Sequence, residues 1–169
     1  ALSSSLDSSN STINFTVDEA LTVAQAAGLL DHTDKSSATV QYSAGITDSL
    51  AAYVSAGTVE TNLTNIVAED SDVVTTVSGS LASTQDITDL NALATAQTGK
   101  VIAAVSTEKA NLDGTNVTLG TAGTDEITIS VSDAAPPSLY VTLDSKTASG
   151  ITFASGFTGA ISEYATLGN

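Results

Sequence analysis

The sequence predicts a mixed α/β body made of three tandem strand–helix–strand units, stacked in layers or as a solenoid. Three observations carry this. Runs of alternating β-branched residues recur at Ile13–Val17, Val73–Val77 and Ile127–Val131. Each is followed by a short stretch of helical character and then a second strand-like run. The interval is 60 residues from Val17 to Val77 and 54 from Val77 to Val131, so the units carry insertions in loops. A β-sandwich is the alternative, because the helical stretches are short and rich in Thr.

Residues 1–11 come first. They are mostly Ser, with Leu2, Leu6 and Asp7. They lack any periodicity and read as a flexible or partner-docking arm, with Leu2 and Leu6 as its two apolar contacts. The body is 12–169, with units at about 12–70, 71–121 and 122–169. In the first unit the strand at 13–17 precedes a helix near 22–31, where Thr22 and Gln25 are spaced as a capping box. A strand at 38–43, a short helix near 47–54 and an extended piece at Val59–Val67 complete it. In the second unit a strand at 73–77 precedes a helix near 88–96, with Asp86 or Thr88 as its N-cap. A strand follows at 101–106, then a turn over Thr107–Asp113 and an extended piece at Asn116–Leu119. In the third unit a strand at 127–131 leads to Pro136 and Pro137, which suit a first helical turn over 138–146. A strand at 151–155 and a turn or helix over Phe157–Leu167 close it. Lys35, Lys100 and Lys146 each follow a helical stretch, where a cation complements the negative end of the helix dipole.

Composition narrows the function. The chain has 169 residues, with 4 Lys and Arg against 19 Asp and Glu, giving a formal charge of −15. Nothing here can neutralise a run of phosphates, so nucleic acid is not an expected partner. No apolar run reaches the ~20 residues of a membrane span. There is no Cys and a single His, His32, so neither a thiolate nucleophile nor a cluster of histidines is on offer. Ser and Thr supply 49 of the 169 residues and aromatics only 4%. Such a chain lacks the usual catalytic inventory, and the expectation is a protein that is not an enzyme. His32 lies between Asp31 and Asp34, but no Ser elbow accompanies it, and it reads as a surface residue at a helix end.

Acidic clusters at Glu69–Asp72, Thr124–Glu126 and Asp31 with Asp34 are the only metal-ligand candidates. Asp70, Asp72 and Asp125 are the residues in them that would hold calcium weakly, as carboxylates in loops between strands. Their spacing matches neither an EF-hand nor a nonapeptide calcium repeat, and no other cofactor is expected. Asn10, Asn14, Asn62 and Asn116 head Asn-x-Ser/Thr triplets, which arise readily in a chain this rich in Ser and Thr. Of the aromatics, Phe15, Tyr42 and Phe153 fall in strand runs and read as anchors of a thin core. Gly114, Gly120 and Gly123 flank a strand and a turn and form no phosphate loop.

The runs LTVAQAAGLLDHTDKSSATVQYSAGITDSLAAY, ITDLNALATAQTGKVIAAVS and DEITISVSD…LDSKTASGITFAS resemble Ala/Thr/Asp-rich repeats of marine cyanobacterial surface proteins and of marine cyanophage virion proteins. The resemblance covers nearly all of 12–167 and rests on common small residues. It implies a structural role on an exterior surface and brings no catalytic residue. The surface proteins are very long, so a set of three units is more similar to a small virion protein. The expectation is a capsid-decorating knob or fibre-like appendage, present in many copies and touching capsid or sister subunits. The alternative is a secreted surface-layer or adhesin repeat protein that assembles with itself.

Overall fold

The computed structural model describes residues 14–32, 39–112, 125–145 and 149–168. Leu2, Leu6, Asn10, Asp34, Lys35, Asn116, Lys146, the extended piece at 116–119 and the three glycines at 114, 120 and 123 lie outside them.

The chain folds as a mixed α/β body, with six α-helices among the described residues. The strands are β1 (Phe15–Thr16), β2 (Val40–Gln41), β3 (Ile46–Ser49), β4 (Val54–Ser55), β5 (Thr58–Val59), β6 (Thr75–Ser78), β7 (Val101–Thr107), β8 (Glu126–Val131) and β9 (Ile151–Phe153). The helices are α1 (Val23–His32), α2 (Leu50–Tyr53), α3 (Thr61–Glu69), α4 (Thr84–Ala96), α5 (Pro137–Asp144) and α6 (Ile161–Tyr164).

The main sheet has five parallel strands in the order β3-β6-β7-β8-β9. Each strand therefore lies beside the next one along this sheet. Ile46 faces Thr75, Thr75 faces Val101, Ile102 faces Glu126 and Ile129 faces Ile151. β1 and β2 form a further parallel pair with Phe15 opposite Val40. A bridge from Leu21 to Ile46 carries that pair towards β3. The parallel sheet rules out the sandwich alternative, in which antiparallel strands would dominate.

Alternation along the strands decides which face is covered. Val101, Ala103, Val105 and Thr107 of β7 are buried, as are Ile127, Ile129 and Val131 of β8. The residues between them, Ala104, Ser106, Glu126 and Thr128, are exposed. Parallel sheets are usually covered on both faces; this one, among the described residues, packs helices on one side only. Ile87, Leu90, Leu93 and Ala94 of α4 form the centre of that layer. Tyr53 of α2 is fully buried, and its hydroxyl reaches the carbonyls of Ile46 at 2.9 Å and Thr76 at 3.0 Å, tying β3 to β6.

Local chemistry explains the helix starts. Thr22 and Gln25 form the expected capping box: the Thr22 N–H donates to Gln25 Oε1 and the Gln25 N–H to Thr22 Oγ1. In α4 the cap is Ser83, not Asp86 or Thr88. Ser83 Oγ accepts from the Asp86 N–H while Asp86 accepts from the Ser83 N–H. Asp86 is thus the third residue of the helix and the reciprocal half of the box. Pro137 occupies the first turn of α5, where no intrahelical N–H is required.

Several expectations need correcting. Val59–Val67 is not extended: Val59 ends β5 and the rest enters α3, whose Leu63 and Ile66 are fully buried three residues apart on one helical face. The helix expected at 47–54 is only Leu50–Tyr53, because Ile46–Ser49 joins the main sheet as a strand. The run at 38–43 is cut to Val40–Gln41 by a turn over Ser43 and Ala44. Lys100 does not close α4, which ends at Ala96; it bonds Glu126 of β8 at 2.5 Å. Phe15 and Phe153 are only half-buried, and Tyr53 is the aromatic that the core encloses completely.

Gly99 sits where two segments meet. A Cβ there would collide with the Val73 carbonyl oxygen and stand 2.8 Å from the Asp72 carbonyl carbon. Only glycine lets the loop into β7 pass this close to the loop into β6.

Candidate functional site

The acidic residues are the candidates for chemistry, and the structure gives several of those it describes a backbone partner. The Tyr42 N–H donates to Asp70 Oδ2 at 2.7 Å and the Val40 N–H to Glu69 Oε1 at 2.9 Å. The Val101 N–H donates to Asp125 Oδ1 at 2.9 Å and the Lys109 N–H to Asp133 Oδ1 at 2.7 Å. The Val23 N–H donates to Asp48 Oδ2 at 3.1 Å and the Gly57 N–H to Asp89 Oδ1 at 2.6 Å. In every case the carboxylate lies 24 to 32 residues after the amide. These carboxylates accept from amides at strand starts, turns and helix starts, where no strand carbonyl is in place. A buried orphan amide costs about 1–3 kcal/mol, so the arrangement stabilises each junction. Asp48, Asp89 and Asp133 were not singled out from the sequence; single acids beside strand ends are too common to signal such a role.

Asp70 and Asp72 come together, and Asp125 does not join them. Asp70 and Asp72 line a depression of about 320 Å³ with Gln41, Tyr42, Ser43 and Val74. Asp70 is 8% exposed. Burial and the neighbouring Asp72 carboxyl raise its pKa, against the lowering effect of the Tyr42 N–H. The Tyr42 hydroxyl donates to the Ala26 carbonyl at 3.1 Å. Its pKa is pushed up to about 12 by burial and by Glu69 and Asp70, which leaves it an inert anchor at neutral pH. Ser43 Oγ is engaged by the Val17 carbonyl at 2.9 Å and Asp18 at 3.1 Å. The carboxyl pair can share a proton, but the depression offers it no free nucleophile.

Asp125 lies at the start of β8, 2% exposed, with Oδ2 unpaired among the described residues. No group of three or more His, Asp or Glu side chains able to hold a metal occurs among the described residues. The backbone of His32 ends α1.

Two other concavities are shallow. One of about 500 Å³ lies against the sheet and includes Val77, Ile102, Ala104, Glu126 and Thr128. Another of about 400 Å³ lies between Lys109, Leu112 and the α5 residues Ser138, Leu139 and Thr142. No helix among the described residues is long and apolar enough to cross a membrane. Compared with protein-family models, with curated proteins and with solved structures, the chain matches none.

Proposed function

We propose that the chain is a non-catalytic structural module of an exterior surface, built from stacked strand–helix units and used in many copies. The observation that carries this reading is the use of the carboxylates. Six of them accept backbone amides across neighbouring segments, and the described depressions join no carboxylate to a nucleophile and a base. A high negative charge on the remaining surface keeps displayed copies soluble. The setting we favour is a virion surface, as a capsid-decorating knob or a fibre-like appendage. Calcium, if taken, would be held weakly by Asp70 and Asp72; Asp125 would not share that ion.

The successive order of the parallel strands supports the finer reading of the fold as a solenoid-like stack. On that reading the unit is shorter than the three proposed from sequence, since ladder partners such as Ile102 and Glu126 are 24 residues apart and Ile46 and Thr75 are 29. A second reading, a secreted surface-layer or adhesin protein that assembles with itself, is favoured by the two sheet edges left unpaired among the described residues. Immunogold labelling of purified virions and of cell envelopes from the source, with antibody against this chain, separates the two. Labelled virions are expected; label confined to the envelope would transfer the role to the second reading, and label confined to the cell interior would overturn both.

A further inference from the structure

The parallel ladder leaves one edge of β9 and one edge of β1 without a partner among the described residues. At β9 the Ile129 N–H donates to the Gly150 carbonyl and the Ala154 N–H to the Val131 carbonyl. Even-numbered residues there face β8. By the alternation of a parallel strand, Ile151 and Phe153 turn their backbone groups outward. At β1 the Phe15 N–H donates to the Thr39 carbonyl and the Val17 N–H to the Gln41 carbonyl, so Thr16 turns its groups outward.

These two edges match. In parallel pairing one residue bonds to the two that flank its opposite number. Thr16 of a second copy set against β9 would donate its N–H to the Ile151 carbonyl and accept from the Phe153 N–H. Internal junctions already follow this pattern. Side chains agree with it: the inward residues at both edges are apolar and incompletely covered, namely Phe15 and Val17 at β1 and Ile151 and Phe153 at β9. An aromatic group continues from β9, with ring centroids 4.7 Å apart for Phe153 and Phe157 and 6.5 Å for Phe157 and Tyr164. Beside it Tyr164 is 40% and Ile161 90% exposed.

We propose that β9 of one copy and β1 of the next join edge to edge in parallel, so that copies of this chain continue one another's sheet. The contact is heterologous and therefore open-ended, giving filaments or rows rather than closed dimers. Both edge strands are short, which makes each contact weak. Copies carrying a charge of −15 repel, so salt strengthens the contact. The proposal deepens the structural-module reading by naming the surface through which copies meet, and it rests on that reading.

The test uses the 169-residue chain and two variants. Phe153→Pro removes the outward N–H of β9 that the Thr16 carbonyl would accept, and Thr16→Pro removes the N–H that would reach the Ile151 carbonyl; neither amide serves a ladder inside the chain. Sedimentation velocity at up to about 1 mM protein, at low and high salt, reads the mass. The unaltered chain is expected to grow past the dimer with concentration and with salt. Each variant alone is expected to stay near the monomer mass of 16.8 kDa. An equimolar mixture of the two has one intact β9 edge and one intact β1 edge, and it should form a dimer and stop. Far-UV circular dichroism checks the fold; should either proline disturb it, Ile151→Asp and Thr16→Asp replace the pair. An unaltered chain that stays monomeric overturns the proposal, and the labelling of virions remains an independent test of the exterior role. A Thr16→Pro variant that still dimerises would show pairing of like edges and also overturns it.

Discussion

β8 and β9 run side by side in the same direction with the same alternation of side chains, yet they are buried differently. Ile129 and Val131 of β8 are 1% and 0% exposed. Their ladder partners Ile151 and Phe153 are half-buried. The residue types are equally apolar, so the difference comes from position: among the described residues β8 has a neighbour on each side and β9 has one. Burial in this fold is thus conferred by the next strand along, and stability should be highest in β7 and β8 and fall towards β9.

Several substitutions sharpen that contrast. The largest effect is expected at the loops that enter the strands. Gly99→Ala would drive a Cβ into the Val73 carbonyl, at a cost of about 3 kcal/mol or more. Gly150, ahead of β9, has open space around its missing Cβ but a φ of 138°. Gly150→Ala should cost about 1–3 kcal/mol from backbone strain alone. Urea denaturation of both variants compares them, and equal losses would mean that the two junctions are packed alike.

Ile129→Ala should cost about 2–5 kcal/mol, since it opens a cavity under a strand flanked by β7 and β9. Ile151→Ala, at the equivalent position on the edge, should cost about 1 kcal/mol because much of that side chain already meets water. Thermal unfolding of the pair reads the difference directly, and similar Tm losses would break the comparison.

The carboxylates give a third contrast. Asp125→Ala strands the buried Val101 amide and should cost about 1–3 kcal/mol. Asp133→Ala removes an acceptor from the Lys109 amide in an exposed place, where water replaces it, and the loss should be smaller. If the order were reversed, the buried contacts would not be the ones that hold the segments together.

The smallest effect is one of pH. Burial acts to raise the Asp86 pKa, but the amides of Ser83 and Ala82 and the Ser83 hydroxyl outweigh it and hold the carboxyl below its ordinary value. A depressed folded pKa gives stability that is present above the unfolded value of about 3.9 and lost as pH falls through the folded one. Asp70 is shifted the other way, so its ionisation opposes folding and stability falls as pH rises through its raised value. Ser83→Ala should therefore cost about 1 kcal/mol at neutral pH and flatten the loss of stability below pH about 4. Asp70→Asn should keep the acceptor for Tyr42 and flatten the pH dependence above that range. Chemical denaturation across pH 3–7 separates the two carboxyls.

All six expected strands are present in the fold, because period-2 runs such as Ile127–Val131 carry strong signals on a sheet with one open face. β3 was missed because Ile46–Ser49 is short and runs straight into the helical Leu50–Tyr53. α3 is hard to read because Leu63, Ile66 and Val67 at i, i+3 and i+4 sit among Thr and Asn, which weaken a helical signal. At the candidate site, local acidity was legible in Glu69–Asp72, but partners 24 to 32 residues upstream were not. Those pairings are set by which segments the fold places side by side, and a sequence pattern of single aspartates does not encode them locally.

Native-state hydrogen exchange, residue by residue, tests most directly the claim that each strand is stabilised by the one beside it. The amide of Ala154, which bonds back to Val131 from the end of β9, should exchange through local opening. The amides of Ser130 in β8 and Val105 in β7, which face each other's strands, should exchange only with global unfolding, with protection declining from β7 and β8 to β9. Equal protection of Ala154 and Val105 in dilute monomeric protein would contradict the account.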